Sequence, residues 1–155
     1  MRAAGAAPLE KLVIREAGAG DLAAISRLDE AVTGAAKPDY WRGLVEASAR
    51  GGPHDPVFLV AEAGLGLIGF IAGDVRAFEF GAGASGWVFA LNVDPGRRDM
   101  DAGTHLFEEL CRRFKKAGVT KVRTLTARNN DLVLAFFRGL GLMAGPFIQL
   151  EKDLD

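Results

Sequence analysis

Two adjacent arginines, Arg97 and Arg98, precede a segment with strong helical periodicity, and together these features could bind a phosphate group. Apolar side chains recur every three or four positions and oppose charged ones, which predicts a helix that begins near residue 102 and ends near Gly118. The apolar stripe consists of Leu106, Phe107, Leu110, Cys111 and Phe114. Because the N–H groups of a first helical turn lack partners within the helix, loop and helix together predict an anion site.

The elements that must position this loop follow from periodicity and turn residues. Helices are predicted to begin near residues 21, 39, 102 and 130. In the first of them, Leu22, Ile25, Leu28 and Val32 are predicted to share the buried face, with Asp29 and Glu30 on the polar side. The predicted strands are 12–16, 57–62, 67–80, 87–93, 121–127 and 147–150.

The order of these elements predicts an α/β fold. A strand, helix and strand between residues 87 and 127 require a right-handed parallel crossover, whereas the glycine-containing loop 63–66 indicates an antiparallel hairpin. We therefore expect a mixed central sheet of about six or seven strands with helices on both faces. The chain is expected to form a single domain, residues 1–155, in which residues 1–10 are a flexible tail.

Composition narrows the function classes. The hydrophobic fraction of 49% and charged fraction of 25% are typical of a globular protein, and no apolar run approaches the roughly 20 residues of a membrane span. A net charge of −1 argues against nucleic acid or an anionic membrane as a partner. The single cysteine, Cys111, excludes an internal disulfide and a cysteine zinc site, so we expect no metal centre and a reducing, cytoplasmic location.

The arginine loop resembles a known motif. Residues 93–95, then Arg98, Gly103 five positions later and residues 106–107, resemble the acyl-CoA-binding segment of the GNAT (GCN5-related) N-acetyltransferases. In that family the pattern Arg or Gln, x, x, Gly, x, Gly or Ala wraps the CoA pyrophosphate. Arg98 matches the first position and Gly103 the second glycine, while Asp101 replaces the first glycine.

A second segment extends the resemblance. Asn130, followed by Phe137 and by residues 140–142 (Leu-Gly-Leu), is similar to the family's Asn, spacer, Leu-Tyr, x, x, Leu-Gly-Phe segment. The family tyrosine, usually taken as the acid that protonates the leaving thiolate, is replaced by Phe137. A phenyl ring cannot donate a proton, so this role is absent or falls to water.

The resemblance implies a GNAT-like acyl-CoA N-acyltransferase fold and an acetyltransferase that moves an acetyl group from acetyl-CoA to an amine. The partners are then acetyl-CoA and an amine acceptor, without nucleic acid or membrane, and a homodimer is compatible with the family. Cofactor contacts are implied for Leu91, Asn92, Val93, Arg97, Arg98, Asp99, Met100, Asp101, Ala102, Gly103, Thr104, Asn130 and Phe137. The alternative is a GNAT-fold binding or regulatory module with weakened or lost catalysis.

No motif identifies the residues that would bind and deprotonate the acceptor amine. The strand at 87–93 carries no carboxylate, so the general-base candidates are Asp74 and Glu79 on the neighbouring predicted strand, then Glu30, or a water molecule. The first two helices and the loop 81–86 would shape the acceptor pocket, which would be lined by Glu30, Tyr40 and Trp41.

Two arrangements remain open for Asp101, where the family has a glycine that permits positive φ. As a helix N-cap, its side chain would accept from the N–H groups of residues 102–104 and occupy the anion site itself. Alternatively, the carboxylate turns to solvent while Arg97 and Arg98 hold the phosphates. In either case it adds a negative charge beside the predicted pyrophosphate site.

Overall fold

The computed structural model describes residues 11–64 and 66–155, so the predicted tail, residues 1–10, lies outside the described residues. The strands are β1 (Leu12–Glu16), β2 (Val57–Ala63), β3 (Gly66–Arg76), β4 (Ser85–Val93) and β5 (Val122–Thr124). The helices are α1 (Leu22–Thr33), α2 (Pro38–Arg50), α3 (Ala102–Lys116) and α4 (Asp131–Gly139). None of the helices in the described part of the chain is both long and apolar enough to cross a membrane.

The strands form one mixed sheet in the order β1-β2-β3-β4-β5, in which all pairs are antiparallel except β4 and β5. The α/β class and the mixed sheet are therefore confirmed, but the described sheet has five strands instead of six or seven. The predicted strand 147–150 is wrong, because this segment joins no ladder of the described sheet and the Ile148 and Leu150 side chains are 81% and 84% exposed. Residues that favour extended backbone do not make a strand without a neighbour to pair with.

The third strand is shorter than predicted. β3 ends at Arg76, and beyond it Phe78 and Phe80 have φ values of 62° and 54°. Left-handed backbone cannot continue a ladder, so the chain turns through a short 3₁₀ segment, Glu79–Gly81. Glu79, predicted on the strand beside β4, therefore lies outside the strand and is exposed.

Helices cover both faces of the sheet, as predicted. Helices α1 and α2 pack on one face through a core that includes Ile25 and Trp41 against Phe58 and Phe70 of the strands. The Trp41 ring lies 5.9 Å from the Phe58 ring and 5.0 Å from the Phe70 ring, measured between centroids. Helix α3 packs on the other face, where its apolar stripe lies close to glycines of β3 and β4.

The described chain forms two compact units that divide between Thr124 and Leu125. The first contains the sheet and helices α1–α3, and the second contains α4. In the second unit, the Asn130 side chain caps α4 by accepting from the Val133 N–H at 3.2 Å. The single domain expected for residues 1–155 stays a prediction.

Because α3 lies close to the sheet, adding a single methyl group at a glycine of β3 should destabilise the protein. A Cβ at Gly73 would lie 2.5 Å from the Trp87 carbonyl oxygen and 2.9 Å from the Phe114 ring, and the backbone oxygen cannot move aside. Overpacking of this kind costs about 1–3 kcal/mol, so Gly73→Ala should lower the free energy of unfolding in urea by that amount. Gly43→Ala is the matched control, because Gly43 is helical with open space around its Cβ position. It should stabilise by about 0.5–1 kcal/mol, and equal losses in both variants would contradict the packing argument.

An ion cluster between β1 and α1 predicts a pH dependence. Arg15 donates to both oxygens of Asp21 at 2.8 and 2.7 Å and also contacts Glu62. The hydrogen bonds from Arg15 hold the pKa of Asp21 below its usual range. A depressed folded-state pKa gives stability that is present above the unfolded-state pKa of about 3.9 and is lost as the pH falls towards the folded-state value.

We therefore expect Asp21→Asn to lower the unfolding free energy by on the order of 2 kcal/mol near pH 7. The difference from the parent protein should shrink below about pH 4, as measured by urea unfolding at a series of pH values. Asp39→Asn, which removes an exposed carboxylate paired with Arg42, is the control and should have a much smaller effect. A parent–variant difference that stays constant down to about pH 2 would contradict the assignment.

Candidate active site

Strand β4 extends beyond its parallel neighbour. Strand β5 pairs with β4 only at Gly86, Trp87 and Val88, and the Thr124 hydroxyl donates to the Val88 carbonyl at 2.9 Å where the ladder ends. Residues 89–93 continue past β5 with a ladder to β3 on their other edge. Within the described sheet, the β5-side edge of residues 89–93 has no strand partner, so its backbone groups can receive an extended ligand as a strand would.

A β-bulge lies at Phe89, directly after the last residue of β4 that pairs with β5. Ala72 of β3 pairs with Ala90, whereas the next residue, Gly73, pairs with Val88, so Phe89 is an extra residue on β4. A bulge bends the strand and changes the direction of its backbone groups, and such features are common beside active sites.

The loop after β4 forms a compact turn before α3. The Asp94 side chain accepts from the Gly96 N–H at 2.9 Å, and the Asp94 carbonyl accepts from the Arg97 N–H at 2.9 Å. A 3₁₀ segment, Pro95–Met100, then leads to Asp101 at the start of the helix. Arg98 is exposed and Arg97 is half-buried, and both lie in the turn that joins the overhanging end of β4 to the N-terminus of α3.

Asp101 has the left-handed backbone expected at this position but does not cap helix α3. Its φ of 52° confirms that this position needs left-handed backbone, but its exposed side chain makes no capping hydrogen bond. The capping arrangement is therefore wrong. An N-cap residue normally has extended backbone, from which its side chain can accept from the N–H groups of the first helical turn. With left-handed backbone, the Asp101 side chain does not accept from these N–H groups. The first-turn N–H groups of α3 thus have no side-chain cap, and Ala102 and Gly103, which carry two of them, are buried.

The carboxylates proposed as general bases are dispersed. Asp74 on β3 is half-buried and accepts from Arg76 at 3.0 Å, with the Arg76 guanidinium 5.2 Å from the Trp87 ring centroid. Glu79 lies in the exposed turn beyond β3, and Glu30 is exposed on α1. A catalytic or substrate-binding role for these three carboxylates stays a prediction.

A cavity of about 410 Å³ lies where α1 and α2 meet the overhanging end of β4. Its walls combine side chains from both helices with backbone and side chains of the strand. The lining residues are Asp29, Thr33, Lys37, Tyr40, Trp41, Phe89, Ala90, Leu91 and Asn92. Tyr40 and Trp41, predicted as pocket lining, belong to this cavity, whereas Glu30 and the loop 81–86 are not among its lining residues.

Asp29 is the acidic residue of this cavity lining, and its side chain is nearly inaccessible at 2% residue exposure. One carboxylate oxygen accepts from the Trp41 indole N–H at 3.0 Å and from the Lys37 ammonium at 2.9 Å. The other oxygen accepts from the Asn92 amide at 3.3 Å. A buried carboxylate requires such donors, because burial without them is strongly unfavourable.

Sequence reasoning missed Asp29, although the helical spacing carried a signal for it. Asp29 lies four residues after Ile25 and seven after Leu22, which puts it on the buried face of α1. Val32, predicted on that face, is 50% exposed instead. The polar character of Asp29 led to the wrong face, because the sequence does not show that Trp41 and Asn92 supply hydrogen-bond donors there.

The remaining implied cofactor residues lie in the second unit. The side chain of Asn130 is used as the cap of α4, and Phe137 is 7% exposed with its ring 5.2 Å from that of Phe136. Both residues thus have structural roles within that unit. Their contacts with a cofactor stay predictions.

Two other reactive side chains are poorly suited to catalysis. His105 is exposed, with Nδ1 3.9 Å from a Glu108 carboxylate oxygen. Cys111 is half-buried on α3, and burial together with Glu108 raises the pKa of its thiol. A thiol with a raised pKa is protonated at neutral pH and is a weak nucleophile.

Comparison with known proteins agrees with the fold. Among solved structures, the chain is similar to the aminoglycoside N-acetyltransferase AAC(6′)-Iy in complex with CoA, with a TM-score of 0.82 and 16% identity, covering 96% of this chain and 99% of that one. It is also similar to an acetyltransferase from Trypanosoma brucei, with a TM-score of 0.72 and 23% identity over 93% and 100% of the two chains. A transcriptional regulator from Bacillus halodurans C-125 has a TM-score of 0.76 and 20% identity over 93% and 100%.

These identities establish the fold alone, and no curated protein sequence matches the chain. The family model described as Acetyltransferase (GNAT) family matches residues 22–142, which include the first two helices, the whole of β4, the arginine loop and α4. The sequence resemblance is thereby confirmed, and the chain belongs to the GNAT acetyltransferase family.

Proposed function

We propose that the protein transfers an acetyl group from acetyl-CoA to an amine of a small molecule or protein. The observation that carries this proposal is the overhanging end of β4, residues 89–93. One edge of this segment has no strand partner in the described sheet and leads into the Arg97–Arg98 loop, and residues 89–92 line a cavity. A donor site and an acceptor site thus share one strand. Holding two reactants in line is the main contribution an enzyme makes to a reaction of this kind.

The residues of this strand and loop fit acetyl-CoA. The pantetheine arm contains amides, which match the alternating N–H and carbonyl groups of a free strand edge. Arg97 and Arg98 supply positive charge for the pyrophosphate, and the uncapped first turn of α3 supplies N–H groups. Buried Gly103 has no side chain that would separate a phosphate from this backbone.

In the overall reaction, a bond forms between the acceptor nitrogen and the acetyl carbon, the carbon–sulfur bond breaks, and the ammonium proton passes to a base. Backbone N–H groups of residues 89–93 are the donors that would polarise the thioester carbonyl. The base is water or one of Asp74, Glu79 and Glu30. Phe137 cannot protonate the leaving sulfur, but a thiol with a pKa of about 8.5 leaves without prior protonation.

The alternative function is a binding or regulatory module with weakened catalysis. Asp101 and Phe137 at two motif positions favour it, and one structural neighbour is named a transcriptional regulator. We prefer the enzyme, because neither replacement removes the free strand edge or the cavity. Its expected location is the cytoplasm, in line with the single free thiol, and a homodimer stays a prediction.

Calorimetry with acetyl-CoA and CoA, followed by detection of released thiol with a panel of amines, tests the proposal. We expect binding of both nucleotides and amine-dependent thiol release.

Arg98→Ala should weaken CoA binding by about tenfold or more, because a hydrogen bond to a charged group contributes roughly 1.5–3 kcal/mol. Arg42→Ala removes an exposed arginine of α2 and should leave CoA binding unchanged. Absence of CoA binding would reject the enzyme, whereas binding without transfer to any amine would favour the regulatory module.

Asp101 provides a separate test of the donor site. Removing its charge in Asp101→Asn should tighten CoA binding by a few-fold, since an exposed charge interaction is worth about 1 kcal/mol or less. Asp101→Gly removes the same charge and also relieves the left-handed backbone, so it should tighten binding at least as much. If neither variant binds CoA more tightly in calorimetry, the carboxylate does not face the pyrophosphate.

A further inference from the structure

The cavity beside β4 already holds an ammonium group, that of the chain's own Lys37. Its Nζ lies 2.9 Å from a carboxylate oxygen of Asp29 and 5.9 Å from the centroid of the Trp41 ring. A carboxylate and an indole face are two of the strongest features by which proteins bind a cationic amine. The lysine therefore occupies the position that an amine ligand in this cavity would take.

The two partners of this ion pair are held very differently. The Asp29 carboxylate is fixed without the lysine, because Trp41 of α2 and Asn92 of β4 both donate to it. The Lys37 side chain is 41% exposed, compared with 3% for Asp29, and it extends on a four-carbon stem from the N-cap position of α2. The segment 34–36 before it is exposed as well. The carboxylate is thus a preformed site, and the lysine is a partner that can leave for solvent.

We propose that Asp29 and Trp41 form a subsite for an ammonium group of the acceptor, and that Lys37 fills this subsite when no acceptor is bound. This inference rests on the proposed function, because it treats the cavity as the acceptor site. Acceptor binding exchanges one ammonium for another, so the buried carboxylate keeps a cationic partner throughout. The exchange avoids leaving a buried charge uncompensated, which is the main cost of opening such a pair.

The chemistry of the subsite narrows the acceptor class. An amine held as an ammonium by a carboxylate has no free lone pair, so it cannot be the nitrogen that attacks the acetyl carbon. The acceptor should therefore carry a second amine group that reacts while the first is bound at Asp29. Asn92 connects the two sites, because it donates to Asp29 from the overhanging end of β4. A small diamine or polyamine fits these requirements and a cavity of about 410 Å³.

The lysine should lower the apparent affinity for an outside cation. If Lys37 occupies the subsite about 90% of the time, the site is competent for only about one molecule in ten, and the apparent affinity falls about tenfold. Lys37→Met removes the competitor and leaves the carboxylate without its cation. It should therefore bind a cationic amine more tightly than the parent protein does.

The test uses n-butylammonium, which reproduces the end of a lysine side chain, with 1-butanol as the neutral comparison. Binding is followed by the ¹H–¹⁵N indole resonance of Trp41, whose N–H is bonded to Asp29, and Trp87→Phe identifies the second indole signal. We expect Lys37→Met to bind n-butylammonium about tenfold more tightly than the parent. Asp29→Asn should bind it at least tenfold more weakly, with no difference for 1-butanol.

Matched controls come from the exposed ion pair Asp39–Arg42 on α2. Arg42→Met and Asp39→Asn remove one positive and one negative charge from α2, outside the cavity lining, and should bind n-butylammonium like the parent. Equal affinity of the parent and Lys37→Met overturns the inference, and so does the absence of any Trp41 shift in both. Circular dichroism establishes whether Asp29→Asn is folded, and if it is not, the Lys37→Met comparison alone decides.

The outcome is separable from that of the proposed function, because n-butylammonium binding is measured without acetyl-CoA. Tight binding to Lys37→Met without thiol release in any amine assay would support the subsite and contradict the transferase. Thiol release with unchanged n-butylammonium affinity across the variants would support the transferase and contradict the subsite. For an active enzyme, Lys37→Met should lower KM for a diamine such as 1,4-diaminobutane without a comparable change in KM for acetyl-CoA.

Discussion

The end of the β4–β5 ladder at Val88 is the constraint on which the rest of the site depends. A strand paired on both edges has no backbone groups left to offer, whereas residues 89–93 keep one edge outside the ladder. The side chain of Thr124 satisfies the last carbonyl before the split, and the bulge at Phe89 changes the course of the strand there. The proposed donor site thus consists of a strand segment that is paired on one edge only in the described sheet.

Packing on the two faces then determines what surrounds this edge. On one face, glycines let α3, which follows the arginine loop, lie close to β3 and β4. On the other face, α1 and α2 cover the sheet around Trp41 but leave a cavity beside residues 89–92. Trp41 belongs to both features, because its ring packs against Phe58 and Phe70 while its N–H donates to Asp29. A rigid aromatic residue therefore supports the most polar group in the cavity.

Much of the fold was predictable, because its signals are local. The stripe of α3, the Asn130 cap of α4 and the glycines at which helices end depend only on residues a few positions apart. The strand predictions that were wrong have a different cause. The segment 147–150 contains residues that favour strands but joins no ladder in the described sheet. Strand β3 ends just before Phe78 and Phe80, whose left-handed backbone is not predictable from their residue types. Pairing and backbone strain depend on neighbours that are distant in sequence.

The sequence by itself determined the family, the arginine loop before α3 and the need for left-handed backbone at Asp101, since motif spacing and conformational preference are properties of the chain alone. Only the tertiary structure decided that Asp101 does not cap α3 and that Glu79 lies beyond the end of β3. It also decided that Asp29, and not its neighbour Glu30, belongs to the cavity. A buried carboxylate is tolerated only where donors meet it, and the donors of Asp29 come from residues 37, 41 and 92, which folding alone brings together.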